Sequence, residues 1–185
     1  MNETLNVIHN RRSIRSYTPE PITDDELHEI IQAGIYAPSA RNSQDWHFSV
    51  VRDAAVLGKL KEIMKENMLN SGVEFLTKRA SEPGFVAFFD APMLILLSAD
   101  EKERFAAIDC GAAAENIALA AESLHIGTCL MTSSELLFAR DADGKLKKSL
   151  GIPDGYRHVC ALTVGHKDGE QPAPAPRKEN LVNTI

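Results

Sequence analysis

Apolar side chains recur at intervals of three and four residues in several stretches of the chain, which is the spacing of an amphipathic helix. In the clearest example, Thr23 and Glu26 form an N-terminal capping box and Pro38 ends the helix. In residues 105–124 small side chains occur on nearly every face, and a helix that is apolar on most of its surface is usually buried in a core or an interface. We predict helices over residues 23–37, 54–70, 105–124 and 145–150.

Short apolar runs between these helices predict strands. The run MLILLS at residues 93–98 has no polar alternation, which is typical of a strand buried on both faces. Residues 71–90 give no clear pattern, because Pro83 and Gly84 interrupt them. We predict strands over residues 47–51, 93–98, 128–131 and 158–164. The chain is helical before the first strand and helices then alternate with strands, so we expect a mixed α+β or α/β layered domain.

Composition and charge agree with one globular domain over residues 1–185, since 44% of the residues are hydrophobic and 25% are charged. The formal net charge of −6 is unsuited to non-specific nucleic-acid binding, which depends on neutralising phosphates. The N-terminus lacks a signal-peptide pattern, and the longest apolar run is too short to cross a bilayer. The three cysteines are far apart, as expected of free buried thiols in a reducing cytosol. We therefore predict a cytoplasmic protein with neither a nucleic-acid partner nor a membrane partner.

The sequence offers no set of residues for catalysis by side chains alone. The six histidines have no metal-ligand spacing, and the chain contains no nucleophile elbow, glycine-rich dinucleotide motif or phosphate-binding loop. We predict no metal site and no catalytic side chain. If the protein is an enzyme, a cofactor carries the chemistry.

Two polar clusters could bind such a cofactor. The first, Arg11-Arg12-Ser13-Ile14-Arg15, offers three guanidinium groups that match phosphate oxygens, although a solvated basic turn is an equally good interpretation. The second is the loop of residues 37–46, whose Asn and Gln amides could read the edge of a planar heterocycle. Taken alone, this loop is better interpreted as an ordinary turn in which Ser39 and Asn42 bond their own backbone.

The chain ends in an extended segment. Residues 171–176 read QPAPAP, which is polyproline-like and does not fold by itself. Arg177 and Lys178 follow, and alone they are only a charged pair in a tail. We expect residues 171–185 to lie across a surface, either their own or a partner's.

Taken in order, these segments resemble the FMN-dependent nitroreductase family over most of the chain. The resemblance is carried by RRSIRSYTPEPIT, APSARNSQDWHF, DAPMLILLSAD, the Ala-rich helix ending in LHIGTCLMTS, and VGH followed by a proline-spaced stretch and RKENLV. It implies a nitroreductase-like α/β sandwich with a mainly antiparallel central sheet flanked by helices. It also implies an intertwined homodimer with FMN at the interface and the tail packed on the partner subunit.

The resemblance also implies roles for individual residues. Arg11, Arg12, Ser13 and Arg15 would hold the FMN phosphate and ribityl chain, and Arg177 would close on the phosphate. Met131, Thr132 and Ser133 would run past the flavin ring, and Asn67 or Asn70 is the candidate for a further flavin contact. The residues expected to reach the flavin of the opposite subunit are Pro38, Ser39, Ala40, Asn42 and Gln44.

The activity implied is ping-pong hydride transfer from NADH or NADPH through flavin N5 to a nitroaromatic, a quinone or a similar electron-poor small molecule. The alternatives are another reaction on the same flavin fold (dehydrogenase, dehalogenase or oxygen-dependent chemistry), a non-enzymatic flavin-binding module, and a structural dimer whose arginines are only surface. Three segments depart from the family pattern: Asp45 before Trp46, His125-Ile126-Gly127, and Met131-Thr132-Ser133. Residues 53–91 are short for the family, which predicts an open site that takes broad or bulky acceptors.

Overall fold

The central element is a four-stranded antiparallel sheet with the strand order β1-β2-β4-β3. The computed structural model describes residues 1–185. Strand β2 lies between β1 and β4, and its residues from Met93 to Ala99 are all buried, because both faces of the sheet are covered. This confirms the predicted strand buried on both faces. The strands are β1 (Trp46–Val51), β2 (Met93–Asp100), β3 (Ile126–Met131) and β4 (Tyr156–His166).

Helices cover the sheet and divide the core into two clusters. Ile95 and Leu97 of β2 belong to one cluster, whereas the alternate residues Leu94 and Leu96 belong to the other, as the two-residue period of a strand requires. The first cluster is completed by α2 and α5, and the second by α3, α4 and two 3-10 turns. The helices are α1 (Glu3–Asn10), α2 (Asp24–Ile35), α3 (Ala54–Leu69), α4 (Glu74–Ser81), α5 (Ala106–Ser123) and α6 (Lys145–Ser149). The 3-10 turns are Ala40–Asn42, Ala87–Asp90 and Ser133–Phe138.

The predicted helices and strands are confirmed, with ends that differ by at most two residues. The capping box of α2 is present: the hydroxyl of Thr23 accepts from the N–H of Glu26, whose carboxylate accepts from the N–H of Thr23. The stretch that gave no clear pattern contains α4 and the turn Ala87–Asp90. The sandwich of helices around an antiparallel sheet is also confirmed.

The C-terminal tail makes little contact with its own chain. The side-chain amide of Gln171 donates to the carbonyl of Asn10, and residues 172–185 are exposed throughout. The tail was expected to lie on its own chain or on a partner, and it does not pack on its own chain.

No helix of the structure combines the length and the apolar character that crossing a membrane requires.

Candidate functional site

The arginine cluster lies at the outer edge of the sheet, beside β3. Ser13 forms a parallel bridge with Thr128, and the N–H of Ile14 donates to the carbonyl of Thr128 at 2.8 Å. The Ile14 side chain is buried against Gly127, where an added Cβ would meet Ile14 at 2.9 Å. Ile14 thus anchors the segment and holds Ser13 and Arg15 at the open side of the strand.

Each guanidinium of the cluster has a defined neighbour. Nε of Arg11 lies 3.2 Å from Oε1 of Glu115, an ion pair without hydrogen-bond geometry. Nη1 of Arg12 donates to the carbonyls of His9 and Arg11 at 2.7 and 2.8 Å. Arg15 lies over the ring of Phe89 at 5.7 Å from its centroid.

Two of these guanidiniums retain unused donors. The Nε atoms of Arg11 and Arg12 are buried and make no hydrogen bond. A buried donor without a partner costs about 1–3 kcal/mol, so such groups normally serve a ligand or a water. Buried donors without a partner suit the binding of an anion such as a phosphate. In a solvated basic turn, water would satisfy these donors.

A cavity of about 260 Å³ adjoins this edge. Burial raises the pKa of the Cys129 thiol in its wall, so this cysteine is a protonated apolar lining group and not a nucleophile. The remaining wall comes from α3, α4, the segment 85–89 and the end of β3. The full lining is Arg15, Met64, Met68, Phe75, Leu76, Arg79, Phe85, Val86, Ala87, Phe88, Phe89, Cys129, Leu130, Met131, Thr132 and Ser133.

The segment Met131-Thr132-Ser133 forms one wall of this cavity. The N–H of Thr132 makes no hydrogen bond within the chain, and both Thr132 and Ser133 are exposed. The next residue, Ser134, is buried and donates its hydroxyl proton to the carbonyl of Met131 at 2.6 Å. The segment therefore offers a free backbone donor at the surface, and the hydrogen bond from Ser134 to Met131 holds it in place.

The loop with Pro38, Ser39, Ala40, Asn42 and Gln44 lies elsewhere and lines no part of the cavity. The N–H of Ala40 donates to both carboxylate oxygens of Asp109 at 3.1 and 3.2 Å. The hydroxyl of Ser39 accepts from the N–H of Gln44 at 3.0 Å. Positive φ values at Asn42 (54°) and Gln44 (53°) complete a tightly wound loop.

Helix α5 separates this loop from the arginine cluster. Asp109 holds the loop and Glu115 pairs with Arg11. At 3.6 residues per turn these two helix positions are about 9 Å apart along the axis and about 120° apart around it. One chain therefore brings Arg15 together with residues 131–133 and keeps residues 38–44 apart from them.

The remaining predicted contacts lie outside the cavity. Arg177 is exposed in the tail. The amide of Asn67 is buried and donates to the carbonyls of Leu136 and Leu137 at 2.8 and 3.2 Å, whereas that of Asn70 donates to the carbonyl of Glu66 at 2.8 Å. Both asparagines thus support local structure in this chain.

Sequence reasoning did not find the wall supplied by residues 71–90. This segment gave no clear pattern in the sequence, yet it contributes half of the lining, including Phe75, Arg79 and Phe89. The available signal was the concentration of phenylalanines at positions 75, 85, 88 and 89 in a stretch without strand or long-helix periodicity.

Comparisons with known proteins agree with this geometry. Residues 8–166 match the sequence model of the Nitroreductase family. An Archaeoglobus fulgidus protein, named for an NADH dehydrogenase or NAD(P)H nitroreductase activity, is 32% identical over 172 residues, which cover 92% of this chain and 89% of the relative. The NADPH-flavin oxidoreductase of Vibrio harveyi is 29% identical over 96% of this chain and 70% of its own. The crystal structure of a Bacteroides fragilis nitroreductase with bound FMN superposes with a TM-score of 0.93 at 30% identity, covering all of both chains.

The fold and the matched residues define an oxidoreductase of the nitroreductase class. The chain belongs to the Nitroreductase family. The prediction of an NAD(P)H-dependent, FMN-using oxidoreductase is confirmed at the level of that family.

Proposed function

We propose that this protein binds FMN and transfers hydride from NADH or NADPH to an electron-poor small molecule such as a nitroaromatic or a quinone. One observation carries the proposal: two features lie together at one edge of the sheet. The first is a group of arginines with unused buried donors, and the second is a largely apolar cavity with a free backbone N–H in its wall. When bound, FMN would supply the redox chemistry by accepting hydride at N5 and passing it on in a ping-pong sequence.

The arginine cluster is the proposed holder of the phosphate and ribityl chain. Arg11, Arg12 and Arg15 present charged donors, and Ser13 adds a hydroxyl. The chain as a whole carries a net charge of −6, which repels anions. The positive charge of the arginine cluster offsets this repulsion locally and favours an anion at the cluster. Arg177 would complete the phosphate site from the tail.

Residues 131–133 are the proposed neighbours of the flavin ring. The free N–H of Thr132 is suited to donate to a ring nitrogen or carbonyl, and the buried Ser134 keeps this segment in place. The apolar lining of the cavity excludes water from the ring, which strengthens such a hydrogen bond.

A homodimer is the proposed functional unit. Helix α1 has no buried residue, and its Leu5 and Ile8 are 44% and 47% exposed. Ile108 of α5 is 71% exposed, and the tail presents Leu181 and Val182. Obligate homodimers bury roughly 2,000–5,000 Å² of such surface. A second copy would cover these groups and bring its own Pro38, Ser39, Ala40, Asn42 and Gln44 to the ring.

A cytoplasmic location is also proposed. Cys110, Cys129 and Cys160 are all free and buried, which suits a reducing compartment.

An anaerobic absorption spectrum of the purified protein, before and after addition of NADH or NADPH, tests the activity. Oxidised-flavin bands that bleach on addition are the expected result. A colourless protein that also fails to bind added FMN would overturn the proposal. Bands that bleach but reoxidise far faster with oxygen than with any nitro or quinone acceptor would assign the reaction to oxygen-dependent flavin chemistry instead.

Removing either proposed phosphate ligand should weaken FMN binding. We expect Arg11→Ala and Arg177→Ala each to raise the FMN dissociation constant at least ~10-fold, because each removes a charge-assisted hydrogen bond worth roughly 1.5–3 kcal/mol. Fluorescence titration of the apoprotein with FMN measures this. Arg52→Ala is the matched control, since Arg52 pairs with Asp24 at a surface remote from the cluster. Unchanged affinity in both test variants would show that neither arginine holds the phosphate.

A further inference from the structure

The cavity beside β3 contains charge of one sign only. Of its sixteen lining residues twelve are hydrophobic, and the charged ones are Arg15 and Arg79. No Asp or Glu lines it, although the chain has 26 acidic residues against 20 basic ones. A largely apolar cavity without carboxylates is suited to an apolar ligand that carries negative charge.

The two arginines differ in what they already contact. Arg15 lies over Phe89 and donates to the carbonyl of Ser13 at 3.3 Å, and the proposed function assigns it to FMN. Arg79, in the last turn of α4, has neither an ion pair nor a side-chain hydrogen bond. Its planar fork of donors is therefore free for a carboxylate or a similar anion.

An exposed aromatic ring accompanies this free guanidinium. Phe75 precedes Arg79 by four residues on α4, so the two side chains lie on one face of the helix. Phe75 lines the same cavity and is 68% exposed, so its ring is accessible to a ligand that enters the cavity. A ring that stacks on Phe75 would bring a substituent within reach of Arg79.

We propose that Phe75 and Arg79 form an acceptor subsite that selects aromatic acceptors carrying an anionic substituent, such as an aryl carboxylate. This inference rests on the proposed function, because the acceptor must enter this cavity. The anion could instead be a phosphate of the nicotinamide donor, which offers the same chemistry to a guanidinium, so the test separates the two sources.

The test compares 4-nitrobenzoate with 4-nitrobenzamide, which differ in charge and little in shape. We expect Arg79→Met to lower the ratio of kcat/KM for the carboxylate to that for the amide about tenfold, mostly through KM, because a charge-assisted hydrogen bond is lost on binding. Arg79→Lys should restore part of the ratio. Lys78→Met is the matched control: it removes the same charge from the neighbouring residue of α4, which does not line the cavity, and should leave the ratio within about twofold.

Equilibrium binding gives a second measurement that does not depend on turnover. Isothermal titration of the oxidised holoenzyme with benzoate and with benzamide should show tighter binding of benzoate to the wild type, and loss of that preference in Arg79→Met. The inference is overturned if Arg79→Met affects both acceptors equally, if Lys78→Met changes the ratio as much, or if Arg79→Met raises only the KM of NADH or NADPH. Reduction of a neutral quinone by the wild type and by Arg79→Met reports on the proposed function separately, so a failure of the subsite is distinguishable from a failure of the oxidoreductase.

Discussion

At the scale of single residues, His158 shows how the cavity wall is supported. Its Nε2 lies 2.8 Å from the hydroxyl of Ser134, which in turn bonds the carbonyl of Met131 at 2.6 Å. A carbonyl can only accept, so the one hydroxyl proton goes to Met131 and Nε2 of His158 must donate. Nε2 of His158 therefore carries a proton. Its Nδ1 is buried without a partner, and burial lowers the pKa of His158 to about 4.

This histidine should make the protein acid-sensitive. Unfolding returns the pKa of His158 to its ordinary value of 6.5, so between pH 6.5 and about 4 the unfolded state binds a proton that the folded state refuses. The free energy of unfolding therefore has its full value above pH 6.5. It falls by up to about 3 kcal/mol as the pH drops to 4. Urea unfolding at a series of pH values measures the slope.

The matched variant is His158→Gln, whose amide can donate to Ser134 but cannot take up a proton in this range. We expect the free energy of unfolding to depend less on pH in His158→Gln than in the wild type. Equal slopes in wild type and His158→Gln would contradict the assignment.

Single residues also show where sequence reasoning about the site succeeds and where it stops. Arg15 and Met131 line one cavity, because the short segments that carry them both lie along β3, and their contacts with FMN stay predictions. The partner of Asn67 is different: its amide binds carbonyls about 70 residues further along the chain. No local pattern reveals such a contact.

At the scale of elements, the arginine segment depends on the strand beside it. Gly127 lies in β3, and an added Cβ there would meet Ile14 Cγ2 at 2.9 Å. Gly127→Ala must therefore displace Ile14, and Ser13 and Arg15 with it. We expect a loss of about 1–3 kcal/mol of stability from this overpacking, together with weaker FMN binding.

Chemical unfolding and FMN titration of the same sample check this prediction. Gly111→Ala is the control, because an added Cβ in that part of α5 meets nothing within 4 Å, and alanine favours a helix by about 1 kcal/mol over glycine. A folded Gly127→Ala protein with wild-type FMN affinity would show that the segment is not positioned by this contact.

The elements themselves were predictable where one face is buried in the core. Helices α2, α3 and α5 and the buried β2 follow from apolar spacing. Helix α4 was missed because its Phe75 and Leu76 face the cavity and Pro83 and Gly84 follow soon after.

Phe88 and Phe89 adopt left-handed φ values of 61° and 56°, which the tertiary contacts impose against the intrinsic preference of bulky residues. The placement of β3 outside β4 also escapes prediction, since strand order in space does not follow order along the chain.

At the scale of the whole molecule, the single chain leaves apolar surface of α1 and of the tail uncovered. Helix α1 buries none of its residues, and the tail beyond residue 171 is exposed to its end. The positive cavity lies within an acidic protein, so its charge must come from a few residues held close together. Helix α5 lies between the loop of residues 38–44 and the arginine cluster, so in the proposed dimer residues 131–133 of one chain and residues 38–44 of the other would share a site.

If the proposed dimer shares its sites in this way, two defective chains should be able to repair each other. In a mixed dimer of Arg12→Ala and Asn42→Gly chains, one site receives both lesions and the other receives neither. With random pairing about half of the dimers are mixed, so co-expression should restore about a quarter of the wild-type sites. Asn42→Gly keeps the left-handed backbone of the loop and removes only the amide. The measurement compares the FMN content of the co-expressed pair with that of each variant expressed alone. Absence of recovery in the pair would mean that each chain builds its site unaided. Two alleles that are each inactive would then, in one cell, complement one another.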